Sequence, residues 1–187
     1  MPLKTLGLIL MALLAALSLF AEEVEAPPEP FMARSGSVGL GYGIPYGGKL
    51  GVNADVYFFD AAALTVGFGS YGHTAGYALG LKYLHGSSRD LWRPQALLLY
   101  GVNKALTIRR VPEGDLFESH SGFTLGLGSQ FMFGKARRHG FDADLLVVVT
   151  STAFKRLDEL EEQGYNISGV SRFSFSLGYR YAFDVKF

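Results

Sequence analysis

The stretch Phe173-Ser174-Phe175-Ser176-Leu177-Gly178-Tyr179-Arg180-Tyr181-Ala182-Phe183-Asp184-Val185-Lys186-Phe187 decides the fold. Every odd position is apolar, and every even position is small, polar or charged. A period of two places the bulky side chains on one face of an extended strand. A strand crossing a bilayer needs about 9–11 tilted residues, apolar toward lipid and free to be small or polar on the other side. This segment meets that requirement.

Working back along the chain, seven more segments read as strands. The first, near Ser37–Ile44, sets Val38, Leu40, Tyr42 and Ile44 against Gly39, Gly41 and Gly43. The second, near Lys49–Phe58, sets Leu50, Val52, Ala54, Val56 and Phe58 against Gly51, Asn53, Asp55 and Tyr57. The third, near Ala63–Ser70, and the fourth, near Gly76–Leu84, keep the alternation, with Lys82 on the small face of the fourth. In the fifth, near Gln95–Asn103, Leu97, Leu98 and Leu99 are all apolar; Ala96, Leu98, Tyr100 and Val102 are read as outward. Its continuation Ala105–Ile108 is either the same strand running on or a separate short one. The sixth, near Ser121–Phe133, and the seventh, near Phe141–Thr150, complete the set.

The small faces decide what surrounds the fold. They are mostly Gly, Ala, Thr and Asn, too small to fill a soluble core. With the large faces inward, Leu, Val, Phe and Tyr from eight strands would crowd the interior while glycines coated the outside. The reverse arrangement satisfies both, and closure into a barrel removes the strand edges that lipid would leave unpaired. The expected fold is therefore all-β, an eight-stranded antiparallel transmembrane β-barrel over residues 36–187. An even strand count puts both ends on one side. By parity the turns Phe59–Ala62, His85–Pro94 and Gly134–Gly140 share that side, while Pro45–Gly48, Tyr71–Ala75, Lys104–His120 and Ser151–Asn166 are loops on the other.

At the N-terminus, Lys4 precedes an apolar run from Leu6 to Phe20, which reads as a signal peptide over 1–21 with cleavage after Ala21. Residues 22–35 are acidic and proline-rich, an extended periplasmic leader. The chain has no cysteine, so neither a disulfide nor a cysteine-linked lipid anchor is available. With 17 Lys plus Arg against 17 Asp plus Glu, it carries no electrostatic footprint for a nucleic-acid partner. Its 24 glycines, 15 Phe and 10 Tyr favour strands and tight turns over helices.

The closing octet Arg180 to Phe187 resembles the C-terminal signal of bacterial outer-membrane barrels, on the match of Arg180, Val185 and Phe187; Ala182 stands where that pattern usually has glycine. Together with the signal and the alternation, it makes residues 36–187 similar to the small barrels typified by the membrane domain of OmpA and by OmpW. The resemblance implies location in the bacterial outer membrane after export. It implies hand-over by the barrel-assembly machinery, and contact with outer-membrane lipids and lipopolysaccharide. No cofactor or metal is implied, and the expected state is a monomer.

Aromatic side chains gather where strands meet the interfaces. Tyr83, Trp92 and Phe133 are expected at the terminal side, and Tyr46 and Tyr71 at the opposite one. On the inward faces, Asp55, Lys82, Asp142, Asp144 and Arg180 are expected to form a charge network, because a buried charge in a narrow barrel needs a partner. An open pore is not expected of eight strands. The OmpW resemblance implies the alternative of a narrow channel or transporter for small or hydrophobic solutes.

A lipid-modifying enzyme is the third reading. Glu118-Ser119-His120-Ser121 holds nucleophile, base and carboxylate types, but neighbours in sequence do not thereby converge. Small lipid A deacylases carry a His-Ser pair spaced by one residue and followed by Asn, which this chain lacks. The leading expectation is a non-enzymatic barrel that supports envelope integrity or presents surface loops. Two features stand outside it: a helical spacing over Ala153–Glu162, and a basic turn of Lys135, Arg137, Arg138 and His139 suited to lipid headgroups.

Overall fold

The computed structural model describes residues 35–88, 90–108, 114–134, 136–162 and 171–183. Among them are eight strands: β1 (Gly36–Gly43), β2 (Gly48–Phe59), β3 (Ala62–Ser70), β4 (Ala75–Leu84), β5 (Trp92–Ile108), β6 (Leu116–Phe133), β7 (His139–Val148) and β8 (Phe173–Phe183). Each pairs antiparallel with the next, and β1 pairs with β8 from Gly36↔Phe183 to Tyr42↔Leu177, which closes the barrel. No edge is left open, so every strand has neighbours on both sides. The signal segment, all of the leader but Ser35, and Val185 and Phe187 lie outside the described residues.

The alternation read from the sequence sets the two faces. Val38, Leu40, Val52, Val56, Leu79, Leu81, Leu127, Leu145 and Leu177 point outward and are exposed, while Asn53, Asp55, Thr65, Lys82, Thr124, Gln130, Asp142 and Arg180 are buried inside. A chain folded for water would invert this distribution. Leu97 and Leu99 of β5 point inward and Leu98 outward. Val102, expected outward, is 3% exposed, because the β5–β6 ladder slips between Val102 and Lys104 and breaks the strict alternation there.

Strands β5 and β6 run 17 and 18 residues, well beyond the others. Ala105–Ile108 is thus the same strand running on, paired with Leu116–Ser119. Most of the expected loop Lys104–His120 is therefore a hairpin overhanging the barrel end away from the termini, here the far end. That end also carries helix α1 (Thr152–Glu162), which buries its own Ala153 and Leu160. Among the described residues no helix is long and apolar enough to cross a membrane, which says nothing of strands.

The expected outer loop Pro45–Gly48 does not extend away from the barrel. Ile44–Tyr46 form one 3-10 turn whose three residues are all buried. Gly43 (φ 111°) and Gly47 (φ 75°) flank it in conformations that an L side chain rarely adopts, which lets the chain reverse within this short span.

Candidate functional site: the barrel interior

The interior is built in three layers. Next to the termini, Tyr57, Ala63 and Leu84 cluster. Toward the far end, Ile44, Leu97, Leu99, Leu146 and Val148 form an apolar layer, against which Phe154 of α1 packs. The charged groups lie between. Apolar side chains on the inner faces of β5 and β7 thus serve the layer under the mouth, where the 3-10 turn and the helix cover them.

Arg180 of β8 is the centre of the middle layer and is fully buried. It stands in register opposite Gly39 of β1, where a Cβ would come within 2.5 Å of Asn53 Oδ1 and 3.2 Å of the Tyr46 ring. Its Nε donates to Asp142 Oδ2 at 2.8 Å, Nη2 donates to the same carboxylate, and Nη1 donates to Asp55 and to Ser37. Lys82 Nζ donates to Asp55 Oδ2 at 2.8 Å and lies 3.8 Å from Asp142 Oδ2. Two cations thus face two carboxylates contributed by four different strands. Removed from water, such charges persist only when paired and hydrogen-bonded.

Asp144 is buried one turn of the alternation further along β7 and meets a different set. Gln95 Nε2 donates to its Oδ1 at 2.6 Å and Ser176 Oγ to its Oδ2 at 2.7 Å. Of the five charged residues singled out, the structure brings Asp55, Lys82, Asp142 and Arg180 together and gives Asp144 neutral donors. Arg93, not singled out, is also buried, with Nη2 donating to the carbonyls of Asp60 and Gly86. Its position two before Gln95 is in phase with the inward face; its neighbours Trp92 and Pro94 made it read as part of a turn.

Tyr46, expected as an interface aromatic, is instead 0% exposed inside the barrel, and its hydroxyl donates to Asp142 Oδ2 at 3.3 Å. A Cβ placed on Gly178 would come within 2.1 Å of that hydroxyl, and one on Gly41 within 2.8 Å of the ring. The glycines of β1 and β8 therefore form a cradle for Tyr46. The ring fills space that no side chain of those strands occupies.

Trp92 and Phe133 are exposed on the outside near the terminal end, and Tyr83 is half-buried there. Tyr71 bends over the far end, where its hydroxyl donates to the Val102 carbonyl at 2.8 Å and burial raises its phenol above the usual range. The residues of nucleophile, base and carboxylate type lie on β6 and not in a loop. His120 Nε2 is 3.3 Å from Glu118, its Nδ1 is 3.2 Å from Thr152 Oγ1, and Ser121 Oγ is 3.4 Å from the Tyr77 hydroxyl. Glu118 accepts two bonds from Arg156, at 3.2 Å each. These contacts tie α1 to the overhanging hairpin. Among the described residues no group of three or more His, Asp or Glu is arranged to hold a metal ion.

The fold and interior define a closed eight-stranded antiparallel barrel with charges inside and bulky apolar side chains outside. The crystal structure of the N-terminal β-barrel domain of Pseudomonas aeruginosa OprF is similar, with a TM-score of 0.51 and 15% identity over 80% of this chain and 98% of that one. At that identity the likeness concerns the fold. No protein-family model and no curated protein matches the chain.

Proposed function

We propose that this chain is a non-enzymatic outer-membrane β-barrel whose filled interior makes it a structural element of the envelope and a support for surface loops, and not a diffusion pore. The observation that carries the reading is the inverted distribution of side chains: exposed Leu, Val, Phe and Tyr on the outer faces of the strands around an interior of paired charges. In water that exterior would be an association hazard far larger than the apolar patches of soluble monomers. In hydrocarbon it is the favourable face, and a closed ladder is the one sheet form compatible with lipid. The architecture shared with the OprF barrel domain supports the same location.

The filled interior favours a structural role over transport. Arg180, Tyr46, Leu84, Leu99, Met132 and Leu146 are among the largest side chains fully buried in the fold, and the 3-10 turn contributes Ile44 to the apolar layer and the Tyr46 hydroxyl to Asp142 of the charged one. An eight-stranded barrel has little room beyond what such groups occupy. The test is current across a planar bilayer containing the refolded protein. The reading expects no steady conductance from protein that shows the heat-modifiable mobility of a folded barrel. A reproducible unitary current from the same preparation would favour the narrow-channel alternative.

A further inference from the structure

The outer face of β8 and its neighbours departs from a uniform apolar ring. A trench of about 690 Å³ runs across β8, β1, β2 and β3, floored by Val38, Val52, Ala54 and Val66 and walled by Tyr179 and Tyr181 on one side and Phe68 on the other. Its lining is almost wholly apolar, and its width comes from small residues paired across the ladder, Val38↔Ala54 and Ala54↔Val66.

The tyrosine wall is joined to the basic β6–β7 turn. Tyr181 is the register partner of His139, the rings lie 5.2 Å apart, and His139 Nδ1 is 2.5 Å from the Tyr179 hydroxyl. The backbone N–H of Ala182 donates to the carbonyl of Arg138 at 2.7 Å, which seats the turn beside the trench wall. Arg137 takes a left-handed conformation (φ 49°) while its Nη1 donates to the Met132 carbonyl at 3.1 Å. Between Phe133 and Phe141 the sequence has one Lys, two Arg and one His and no acidic residue.

From this juxtaposition we infer that the turn and the trench are one binding site for an anionic glycerophospholipid, its phosphate on the Arg137–His139 rim and an acyl chain along the Tyr179–Tyr181 wall. The charge of the rim selects an anionic headgroup over a zwitterionic one, and the apolar trench selects a lipid over free phosphate. The inference rests on the membrane reading above.

The test refolds the chain into bilayer discs holding equal phosphatidylglycerol and phosphatidylcholine, then identifies by native mass spectrometry the lipid retained on release. Retention of phosphatidylglycerol over phosphatidylcholine by about tenfold is expected, falling toward parity at high salt. Arg138→Gln should lower the preference while leaving some lipid bound. Ala54→Phe, which fills the trench and leaves the charges alone, should abolish retention of both lipids without loss of heat-modifiable folding. Equal retention of the two lipids by the inserted parent chain overturns the inference and leaves the membrane reading standing. A lipid-free dimer on release overturns it in favour of self-association. A chain that folds but does not enter the discs overturns both.

Discussion

Replacing Arg180 with Met keeps most of the side-chain volume and removes the guanidinium that joins Asp55, Asp142 and Ser37. Two buried carboxylates then share Lys82 alone, at 2.8 Å from one and 3.8 Å from the other. Breaking a buried ion pair by removing one partner costs about 3–5 kcal/mol. Because Lys82 still compensates one of the two charges, the expected loss is about 3 kcal/mol, or roughly a hundredfold in the folding equilibrium. Adding Asp142→Asn restores one cation to one carboxylate, so the double variant should recover more than half of that loss. The assay is the urea midpoint of protein refolded into lipid vesicles, read by tryptophan fluorescence. A single variant with an unchanged midpoint, or a double variant less stable than the single, would refute the reasoning that these charges compensate one another.

Four further outcomes follow from the same geometry. Gly178→Val places side-chain atoms where the Tyr46 hydroxyl lies and should destabilise the barrel by about 1–3 kcal/mol in the same titration. Tyr46→Phe, which loses the bond to Asp142 and keeps the ring, should cost about 1 kcal/mol. Leu145 is 73% exposed on β7 between the aromatic ends of the barrel, and Leu145→Arg should cost about 2–4 kcal/mol in vesicles, against the near-neutral effect of a water-facing substitution. Glu118→Gln breaks the bidentate contact to Arg156 with little effect on global stability, and the expected readout is faster amide exchange over Thr152–Glu162.

The strand faces were legible because alternation is a direct record of which side each residue takes. Most of the segments carry it, and it fixes the face each residue takes; Leu145–Val149 of the seventh is apolar on both faces because Leu146 and Val148 belong to the inner apolar layer. Nor does Leu97-Leu98-Leu99 carry it, since three apolar residues in a row hold no phase; it is settled by the layer under the mouth, where Leu97 and Leu99 meet Ile44. The overhang of β5 and β6 is open in the sequence because Ala105–Ile108 and Leu116–Ser119 pair only with each other beyond the barrel, where no enclosed interior enforces alternation.

The inward position of Tyr46 is not legible from its local sequence, for a physical reason. An aromatic beside a proline at a strand end has the composition of an interface residue, and nothing local says that the turn folds inward. The signal was non-local: Gly39, Gly41, Gly51, Gly67, Gly69 and Gly178 together leave a hollow that some other segment has to fill, and Gly43-Ile44-Pro45-Tyr46-Gly47-Gly48 is the segment flanked by glycines that permit the reversal. The inward charges were visible from phase alone, whereas which carboxylate meets which cation depends on how strands far apart in sequence face one another across the lumen. Asp144 shows this, two residues from Asp142 on the same face yet held by Gln95 and Ser176.

Trp92 gives the most direct test of the membrane reading, because it is the chain's one tryptophan and is 56% exposed on the outer face near the terminal end. The chain is refolded into vesicles whose acyl chains carry bromine at defined depths, and the fluorescence of Trp92 is recorded. The account predicts strong quenching, greatest for bromine close to the headgroups. Unquenched fluorescence from a chain that folds to the same sheet content in plain buffer would contradict it.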